Sequence, residues 1–504
     1  MKKTIYTVLF LSVLTGCTLK EDTSLYLNPD NFCKTVEQCD AAVVSTYFQV
    51  NSTFNYNLEI ALEGCTDLYS IQSGTQDAQM DISPANPRFG NTMWENCYYG
   101  VRNANYAIYG IEHSGLLEED VAPLLAEAKI MRAFWYYMLT SFFGDVPFYE
   151  NYIRTVEELE AVRKLPRMSA YDTRAKLVSE LKECLGDLPQ KRRCDVAVSA
   201  DKQLQRMGAA AGYMILAKMA MWNKDWASAA EALEKIQAMY GDLSQYPLSD
   251  VPYSVKNTDE SIFEIQHVYS SSGLKVYSSL GAIAMPYPKS TNTSTGDVTF
   301  NGVKIDELGK SCICWQPLRP TPFLSNALYT RTCSDKRKDM TLVWEWTQSD
   351  GTKKTFSRVW SGPKFWCNDM YNTYDSNNYT IYRYADALLM LSECYNEMGK
   401  SDEAIACLNQ VKNRAGISPY GVFRTKEKLQ DEIMNERGRE LCGEFQRKFD
   451  LVRWGLWFQR TYEFNDYKNL TKNIRPCNEY YPIPDTQVAL SGGALDNKAY
   501  MEGL

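Results

Sequence analysis

The stretch from residue 379 to residue 455 constrains the fold of this chain more than any other part of its sequence. Apolar residues recur there at spacings of three and four, which predicts one helical face made of Leu388, Leu391, Tyr395 and Met398. A second apolar face follows at Ala404, Leu408 and Val411. Between the two faces, Gly399 can adopt the left-handed conformation that ends a helix, and Ser401 is a suitable N-cap. This layout predicts a helical hairpin of the tetratricopeptide (TPR) type, in which the small residues Ser392 and Ala404 let the helices approach closely.

Helical periodicity also dominates the first half of the chain. The segments 201–222 and 225–240 carry apolar residues at TPR-like positions and predict a second hairpin. Further helices are predicted at Thr35–Phe48, 94–112, 117–143 and 169–187. The chain is therefore expected to be mainly α, an α-α superhelix with about four TPR-type helix pairs.

The segment 241–378 has a different character, because helical periodicity fades and Ser, Thr, Asn, Gly and Pro become frequent. Residues 260–268 alternate like a strand. Residues 341–348 and 355–360 flank Ser349-Asp350-Gly351, a turn signal that predicts a β-hairpin. Trp344 and Trp346 share one face of that hairpin, where cross-strand packing is expected. We therefore expect a large irregular insertion that contains short β-hairpins.

The amino terminus is typical of an export signal rather than of a folded element. Two lysines precede the apolar run 5–14, which is too short to span a membrane. The motif LTGC, which ends at Cys17, resembles the cleavage site of bacterial lipoproteins, so Cys17 is the expected lipidated first residue of the mature chain. Acyl chains hold a protein on a membrane because each buried methylene contributes about 0.8 kcal/mol. Residues 17–30 are expected to form a polar tether.

Composition excludes several classes of function. The net charge of −8 and a pI near 5.2 argue against a nucleic-acid partner. The only histidines are His113 and His267, which disfavours histidine-based metal sites and Ser-His-Asp catalysis. No C-x-x-C motif occurs among the 15 cysteines, and neither a metal nor a cofactor is expected. Cys33 and Cys39 are close enough in sequence to be candidates for a local disulfide.

Several long motifs stand in a fixed order along the chain. They are WENCYYGVRNANYAI (94–108), EAKIMRAFWYYMLTSFFGDVPFYE (127–150), SECYNEMGKSDEAIACLNQVKNRAG, IMNERGRELCGEFQRKFDLVRWG and finally YPIP (481–484). Together they resemble the SusD/RagB family, the surface lipoproteins that capture nutrients in Bacteroidota. The resemblance covers most of the chain, from about residue 22 to the end.

The resemblance implies a non-catalytic lipoprotein, anchored through Cys17 in the outer membrane and facing the cell surface. Such a protein would capture an oligosaccharide and deliver it to a SusC-like TonB-dependent transporter, on which it would sit as a lid. The RagB branch handles peptides, so a peptide-capturing lipoprotein with the same lid role is the alternative. The implied organisation is a signal peptide (1–16), a lipidated tether (17–30), an N-terminal helical region (31–240), a ligand-binding subregion (241–378) and a C-terminal region (379–504).

Glycan capture needs aromatic rings that stack on sugar faces and polar side chains that bond to hydroxyl groups. In the irregular subregion, Trp315 lies in a loop rich in Cys and Pro, and Tyr287 lies in the sequence MPYPKS, so both are candidates for ligand contacts. Ligand loops of the family also map near residues 66–94, which adds Asp67, Arg88 and Trp94 as candidates. For Trp94, packing at a helix start is the competing interpretation.

An enzyme would need a convergent catalytic set, and no nucleophile, zinc or phosphate-binding motif stands out. One charged run can be read as an active site, namely Glu436, Arg437, Arg439, Glu440, Glu444, Arg447, Asp450 and Arg453. We interpret this run as a structural ion-pair network between packed helices, which disfavours a surface hydrolase. A pure TPR scaffold is disfavoured as well, since simple scaffolds consist mostly of repeats.

Overall fold

The computed structural model describes residues 29–71, 77–188, 206–269, 275–285, 299–300, 303–304, 311–312, 318–348, 350–367, 370–421 and 425–502. Its architecture is mostly helical, as the periodicity predicts. In the first half the helices are α1 (Pro29–Phe32), α2 (Val36–Ser45), α3 (Val50–Thr53), α4 (Tyr56–Leu62), α5 (Phe89–Glu112), α6 (Glu118–Phe143), α7 (Val156–Arg163), α8 (Ala170–Cys184), α9 (Ala209–Trp222) and α10 (Trp226–Tyr240). In the second half they are α11 (Leu280–Ala284), α12 (Lys338–Thr341), α13 (Tyr384–Glu397), α14 (Ser401–Arg414), α15 (Lys426–Glu440), α16 (Arg447–Arg453), α17 (Trp457–Phe464), α18 (Lys468–Asn473), α19 (Asp485–Leu490) and α20 (Lys498–Glu502).

The long helices pack one after another into a continuous array. Helix α5 packs on α6, α6 on α8, α8 on α9, α9 on α10 and α10 on α13, which also contacts α14 and α15. The two predicted hairpins are therefore confirmed as the pairs α9–α10 and α13–α14, and the other predicted helices are present with shifted ends. The assignment of these pairs to the TPR type stays a prediction.

The α13–α14 hairpin shows why its small residues matter. The hydroxyl of Ser392 on α13 donates a hydrogen bond of 2.7 Å to the carbonyl oxygen of Ala404 on α14, which a larger side chain at either position would prevent. Gly399 has a φ of 77°, the left-handed conformation predicted for it. The N-cap prediction for Ser401 is wrong, because Ser401 is already the first helical residue and Lys400 precedes it without a side-chain cap.

Helices α5 and α6 approach each other closely at a glycine. A Cβ atom on Gly100 would lie 2.3 Å from the indole of Trp135, so only glycine fits there. Trp135 is fully buried, and its indole nitrogen donates to the carbonyl oxygen of Thr46 at 3.3 Å. This contact ties α5 and α6 to the chain that leads into α3.

In the described part of the chain, short strands lie in the loops, in the irregular subregion and, as β14, at the start of the C-terminal region. They are β1 (Tyr69–Ile71), β2 (Val146–Pro147), β3 (Arg167–Met168), β4 (Ser261–Ile265), β5 (Val268–Tyr269), β6 (Lys275–Val276), β7 (Thr299–Phe300), β8 (Val303–Lys304), β9 (Ser311–Cys312), β10 (Leu318–Pro320), β11 (Leu342–Thr347), β12 (Lys353–Ser361), β13 (Tyr371–Asn372) and β14 (Tyr379–Arg383). The pairs β1–β10, β2–β3, β4–β14, β5–β6, β7–β8, β7–β11 and β11–β12 are antiparallel, and β9–β13 is parallel.

The predicted hairpin of residues 341–360 is confirmed as β11–β12, and its cross-strand packing is present. The rings of Trp346 and Phe356 lie 4.5 Å apart between centroids. The predicted strand 260–268 is present as β4, which ends at Ile265, and the next strand starts at Val268.

The predicted subregions share one hydrophobic core. That core runs from Val50 through the helical array and the insertion to Tyr500. The C-terminal region docks on the N-terminal one, since the indole of Trp457 donates to the carbonyl oxygen of Cys65 at 2.9 Å. Because one core spans all the predicted subregions, the structure does not separate them, and their boundaries stay predictions. Among the described residues, no helix is both long and apolar enough to cross a membrane.

The disulfide prediction for Cys33 and Cys39 is wrong in this structure. Both residues are fully buried free thiols. They belong to a small apolar cluster between α2, α5 and α6, and burial raises the pKa of the Cys33 thiol to about 12. A buried, protonated thiol behaves as a small apolar side chain.

Candidate functional site

Four tyrosine side chains meet on the surface of the irregular subregion, and we call them the tyrosine cluster: Tyr269, Tyr277, Tyr371 and Tyr374. The ring centroids of Tyr277 and Tyr374 are 4.1 Å apart. Tyr269 lies 5.5 Å from Tyr374, and it lies 6.3 Å from Tyr371 with the two rings nearly parallel. Tyr277 is 44% exposed and Tyr371 is 46% exposed, so two of the rings reach well into solvent.

A buried carboxylate and paired backbone groups hold the tyrosine cluster together. Ser278, next to Tyr277, exchanges two backbone hydrogen bonds of 2.9 Å with Asp375, next to Tyr374. The carboxylate of Asp375 accepts the backbone N–H of Gly281 at 2.9 Å and that of Asn377 at 3.0 Å. Asp375 is fully buried, so the two segments that carry the rings are fixed to one another.

This arrangement suits stacking rather than reaction chemistry. Partial burial, followed by the neighbouring Tyr374, raises the pKa of Tyr277, so its hydroxyl stays protonated and can both donate and accept a hydrogen bond. Each aromatic contact contributes about 0.5–1.5 kcal/mol, so adjacent rings must act together to hold a ligand. The cluster is therefore a candidate platform for a ligand with flat apolar faces and hydroxyl groups.

Asp67, a predicted ligand residue, is fully buried and fully paired. Its Oδ1 accepts Arg447 Nε at 2.8 Å, and its Oδ2 accepts Arg447 Nη2 and Arg460 Nε, both at 2.7 Å. Burial alone would raise the pKa of Asp67, but the two guanidinium groups outweigh burial and hold it below its usual range. This geometry gives Asp67 a structural role, and its predicted role as a ligand residue stays a prediction.

Trp94 lies near the start of α5 and is only 5% exposed. Its ring packs 4.9 Å from Tyr98 and 5.1 Å from Phe143. It also lines a small cleft of about 310 Å³ between α5, α7 and α19. Packing at a helix start, the competing interpretation, therefore accounts for most of this side chain, and its role in binding stays a prediction.

Arg88 precedes α5 in an uncommon backbone conformation, with a φ of 55°. Its guanidinium lies 3.8 Å from the carboxylate of Asp81, whose side chain is 66% exposed. Arg88 is thus held at the protein surface by this weak ion pair and by a long hydrogen bond of 3.4 Å from its Nε to the carbonyl oxygen of Asp81. Its predicted role as a ligand residue stays a prediction.

The other predicted site residues, Cys17, Tyr287 and Trp315, lie outside the described residues. In sequence, Tyr287 follows α11 by three residues and Trp315 follows β9 by three residues. Helix α11 contains Gly281, which bonds to Asp375, and β9 pairs with β13, which contains Tyr371. Both of these described elements thus adjoin the tyrosine cluster.

Sequence reasoning missed the tyrosine cluster, although one signal was available. The run MYNTYDSNNY (370–379) holds three tyrosines in ten residues, among Asn, Asp and Ser residues typical of a surface turn. Tyr269 and Tyr277 lie about a hundred residues earlier in the chain, so only the fold brings them to this turn.

The charged run of the C-terminal region is a structural ion-pair network, as predicted. Glu440 alone pairs with Arg337 at 2.7 Å and with Arg383 and Arg414 at 2.6 Å. Burial would raise the pKa of Glu440, but the three guanidinium groups hold it well below its usual range. These four side chains are at most 4% exposed, so a substrate cannot reach them. Within the described residues, no group of three or more His, Cys, Asp and Glu side chains could hold a metal ion.

Comparison with protein families agrees with the resemblance found in the sequence motifs. The model of the SusD family matches residues 341–500. A second model, described as starch-binding associating with outer membrane, matches residues 20–218. The chain is a SusD-like protein. The resemblance found in the sequence motifs is thereby confirmed, and so is the mainly α fold that it implies.

Relatives of known sequence cover nearly the whole protein. A SusD-like protein of Formosa agariphila is 26% identical over 89% of this chain and 90% of its own length. The starch-binding protein SusD of Bacteroides thetaiotaomicron is 21% identical over 89% of this chain and 85% of its own length.

Solved structures show the same fold. Surface glycan-binding protein A from Bacteroides uniformis has a TM-score of 0.71 at 23% identity and covers 92% of this chain and 100% of that chain. The protein of that name from Bacteroides thetaiotaomicron, solved in complex with laminarihexaose, has a TM-score of 0.68 at 19% identity and covers 91% and 98%. The SusD-like family thus includes carbohydrate-binding proteins.

Proposed function

We propose that this SusD-like protein is a non-catalytic cell-surface lipoprotein that captures oligosaccharides and delivers them to a SusC-like TonB-dependent transporter in the outer membrane. The tyrosine cluster carries this proposal. Sugars present C–H faces that stack on tyrosine rings, while their hydroxyl groups bond to the tyrosine hydroxyls and to nearby polar groups. A relative named as starch-binding and a structural neighbour solved with laminarihexaose support a glycan ligand.

In this proposal, residues 241–378 are the ligand-binding subregion. Tyr287 and Trp315 are proposed as further ligand residues, because each follows in sequence an element that adjoins the tyrosine cluster. Arg88 contributes hydrogen bonds to hydroxyl groups from the N-terminal side. Several such contacts are required, since each one is weak.

The lipid anchor at Cys17 gives the proposed lid its attachment. Eleven residues separate Cys17 from the start of α1, so a fully extended tether would reach about 40 Å. Such a reach lets the body open and close over a barrel while it stays anchored, a hinge motion coupled to ligand binding.

A non-catalytic role fits the charges of the described residues. The carboxylates that stand out in the sequence are buried in ion pairs, as Glu440 and Asp67 show. An acid–base pair for hydrolysis must instead face the substrate at a cleft.

The experiment uses the chain from Glu21 onwards, which omits only the signal and the lipidated end. Calorimetric binding of laminarihexaose, maltohexaose and oligopeptides would be measured, with product analysis of every mixture. We expect binding of one glycan class without cleavage. Tyr277→Ala combined with Tyr371→Ala should weaken affinity about tenfold or more, whereas the control Tyr171→Ala, at a tyrosine that is 61% exposed on α8, should not. Binding of peptides alone would favour the peptide-capturing alternative, and cleavage would overturn the non-catalytic assignment.

A further inference from the structure

A second cleft runs beside the C-terminal half of α5 and shares no residue with the tyrosine cluster. Residues 148–154 and α7 form its other wall, and Lys176 of α8 also lines it. Its volume is about 790 Å³, within the range of about 300–1,000 Å³ that is typical of ligand sites. We call it the α5 cleft.

Aromatic rings line the α5 cleft from both walls. On α5, Tyr109 stacks on His113 with centroids 4.0 Å apart and an angle of 22°. From the opposite wall, Tyr152 lies 5.5 Å from Tyr109. Tyr109 and His113 are four residues apart and therefore project from one face of the helix. The result is a short row of rings at an open surface.

On α5, Tyr109 and His113 are not part of the apolar face that packs the helix into the array. That face buries Val101, Ala104, Ala107 and Ile111. The guanidinium of Arg154 lies 5.4 Å above the Tyr109 ring and donates to its hydroxyl at 3.1 Å. A surface cation–π contact of this kind contributes little to folding. His113 is exposed and Tyr152 is half-buried, so these two rings present surface to a ligand.

The polar side chains of the α5 cleft are suited to hydroxyl groups. Within the described chain, the side chains of Glu112 and Asn151 have no hydrogen-bond or ion-pair partner, and both line the cleft. The charges nearly balance, because three carboxylates face two cations there, and one of these carboxylates, Glu150, pairs with Lys176 at 2.9 Å. A strongly charged ligand would meet like charges, whereas a neutral ligand would not.

We propose that the α5 cleft binds a neutral oligosaccharide, as a second site separate from the tyrosine cluster. Sugar faces stack on His113 and Tyr152, and Glu112 and Asn151 bond to the hydroxyl groups. Only the ligand class of this proposal, an oligosaccharide, rests on the proposed function. Its location rests on the rings and on the unpaired polar side chains.

The test is the number of oligosaccharides bound per chain, measured by calorimetry on the chain from Glu21 onwards. The probes are the neutral laminarihexaose and maltohexaose and a negatively charged oligogalacturonate. The unmodified chain should bind two of the retained sugar, and Tyr277→Ala with Tyr371→Ala should leave one. His113→Ala with Tyr152→Ala should also leave one, with its affinity unchanged. Leu117→Ala, at a residue that is 65% exposed just beyond α5, serves as the matched control. Circular dichroism and thermal unfolding verify that each variant folds, and His113→Ala alone is the milder second variant.

The outcomes separate the two sites. One bound oligosaccharide that is lost in the Tyr277→Ala, Tyr371→Ala variant overturns the α5 cleft alone. One bound oligosaccharide that is lost only in the His113→Ala, Tyr152→Ala variant supports the α5 cleft and overturns the tyrosine cluster. Binding at the α5 cleft of an oligogalacturonate but of neither neutral probe overturns the ligand class. No binding of any probe overturns both proposals.

Discussion

Replacing Asp67 with asparagine separates a structural role of this residue from a role in ligand binding. Asparagine keeps the shape of the side chain but leaves Arg447 and Arg460 without their buried counter-charge. Removal of one partner from a buried ion pair costs about 3–5 kcal/mol. Unfolding entropy is about 2.1 cal/mol/K per residue, or about 1 kcal/mol/K for a chain of 504 residues. The variant should therefore unfold about 3–5 °C lower.

Thermal unfolding at several pH values adds a second readout. The pKa of Asp67 in the folded protein lies below the 3.8 of an unperturbed aspartate, because its arginine partners outweigh burial. The stability due to the carboxylate is thus fully present above the unfolded pKa and is lost as pH falls through the folded pKa. The difference in Tm between wild type and Asp67→Asn should be constant near neutral pH and should shrink in acid below pH 3.8.

The matched control is Asp81→Asn. Asp81 is 66% exposed and lies 3.8 Å from Arg88, and such surface pairs contribute about 0–1 kcal/mol. Its Tm should therefore change by about 1 °C or less. An unchanged Tm for Asp67→Asn, together with weaker glycan binding, would refute the structural assignment of Asp67 and restore it as a ligand residue.

Three further substitutions test the packing and the buried charges. Gly100→Ala forces a Cβ against the indole of Trp135 and should lower the free energy of unfolding by about 1–3 kcal/mol, measured by thermal unfolding. The control Gly186→Ala, with open space around it, should leave that free energy unchanged. Equal effects of the two substitutions would contradict the close approach of α5 and α6. Burial lowers the pKa of Lys448 to about 8 from 10.5, so the wild type should gain stability as pH rises between these values while Lys448→Met does not, and parallel Tm profiles would disprove this. Glu59 is fully buried, and both its carboxyl oxygens lack a hydrogen-bond partner in the described structure. Burial raises the pKa of Glu59, so the wild type should lose stability as the pH rises through that pKa. Glu59→Gln should lack this loss in denaturant unfolding at pH values from about 5 to 9, and a variant less stable at every pH would count against a protonated Glu59.

The helices and hairpins could be predicted because their signals are local. The apolar faces of α13 and α14, the glycine at position 399 and the turn between β11 and β12 each lie within a few residues of the structure they specify. The N-cap assignment of Ser401 failed, since the choice between a cap and a first helical residue depends on the exact path of the preceding turn. The local pattern thus located the elements more reliably than their ends.

The candidate site could be predicted only in part, because its residues meet across long stretches of chain. Asp67 and Arg447 are 380 residues apart, so nothing in either local sequence shows that they pair. The aromatic content of the insertion drew attention to its tryptophans, yet Trp346 of the β11–β12 hairpin packs against Phe356. The tyrosines at 277 and 371 are the exposed rings instead.

By itself the sequence determined the helical array, the irregular insertion and the SusD-like family, because periodicity, turn chemistry and ordered motifs are properties of neighbouring residues. The tertiary structure alone decided which charged and aromatic side chains are buried. Burial depends on what packs from elsewhere in the chain, and it places Asp67 in a buried ion pair with Arg447. For the same reason, only the fold could place Tyr277 beside Tyr374 at the surface, with Asp375 buried next to them.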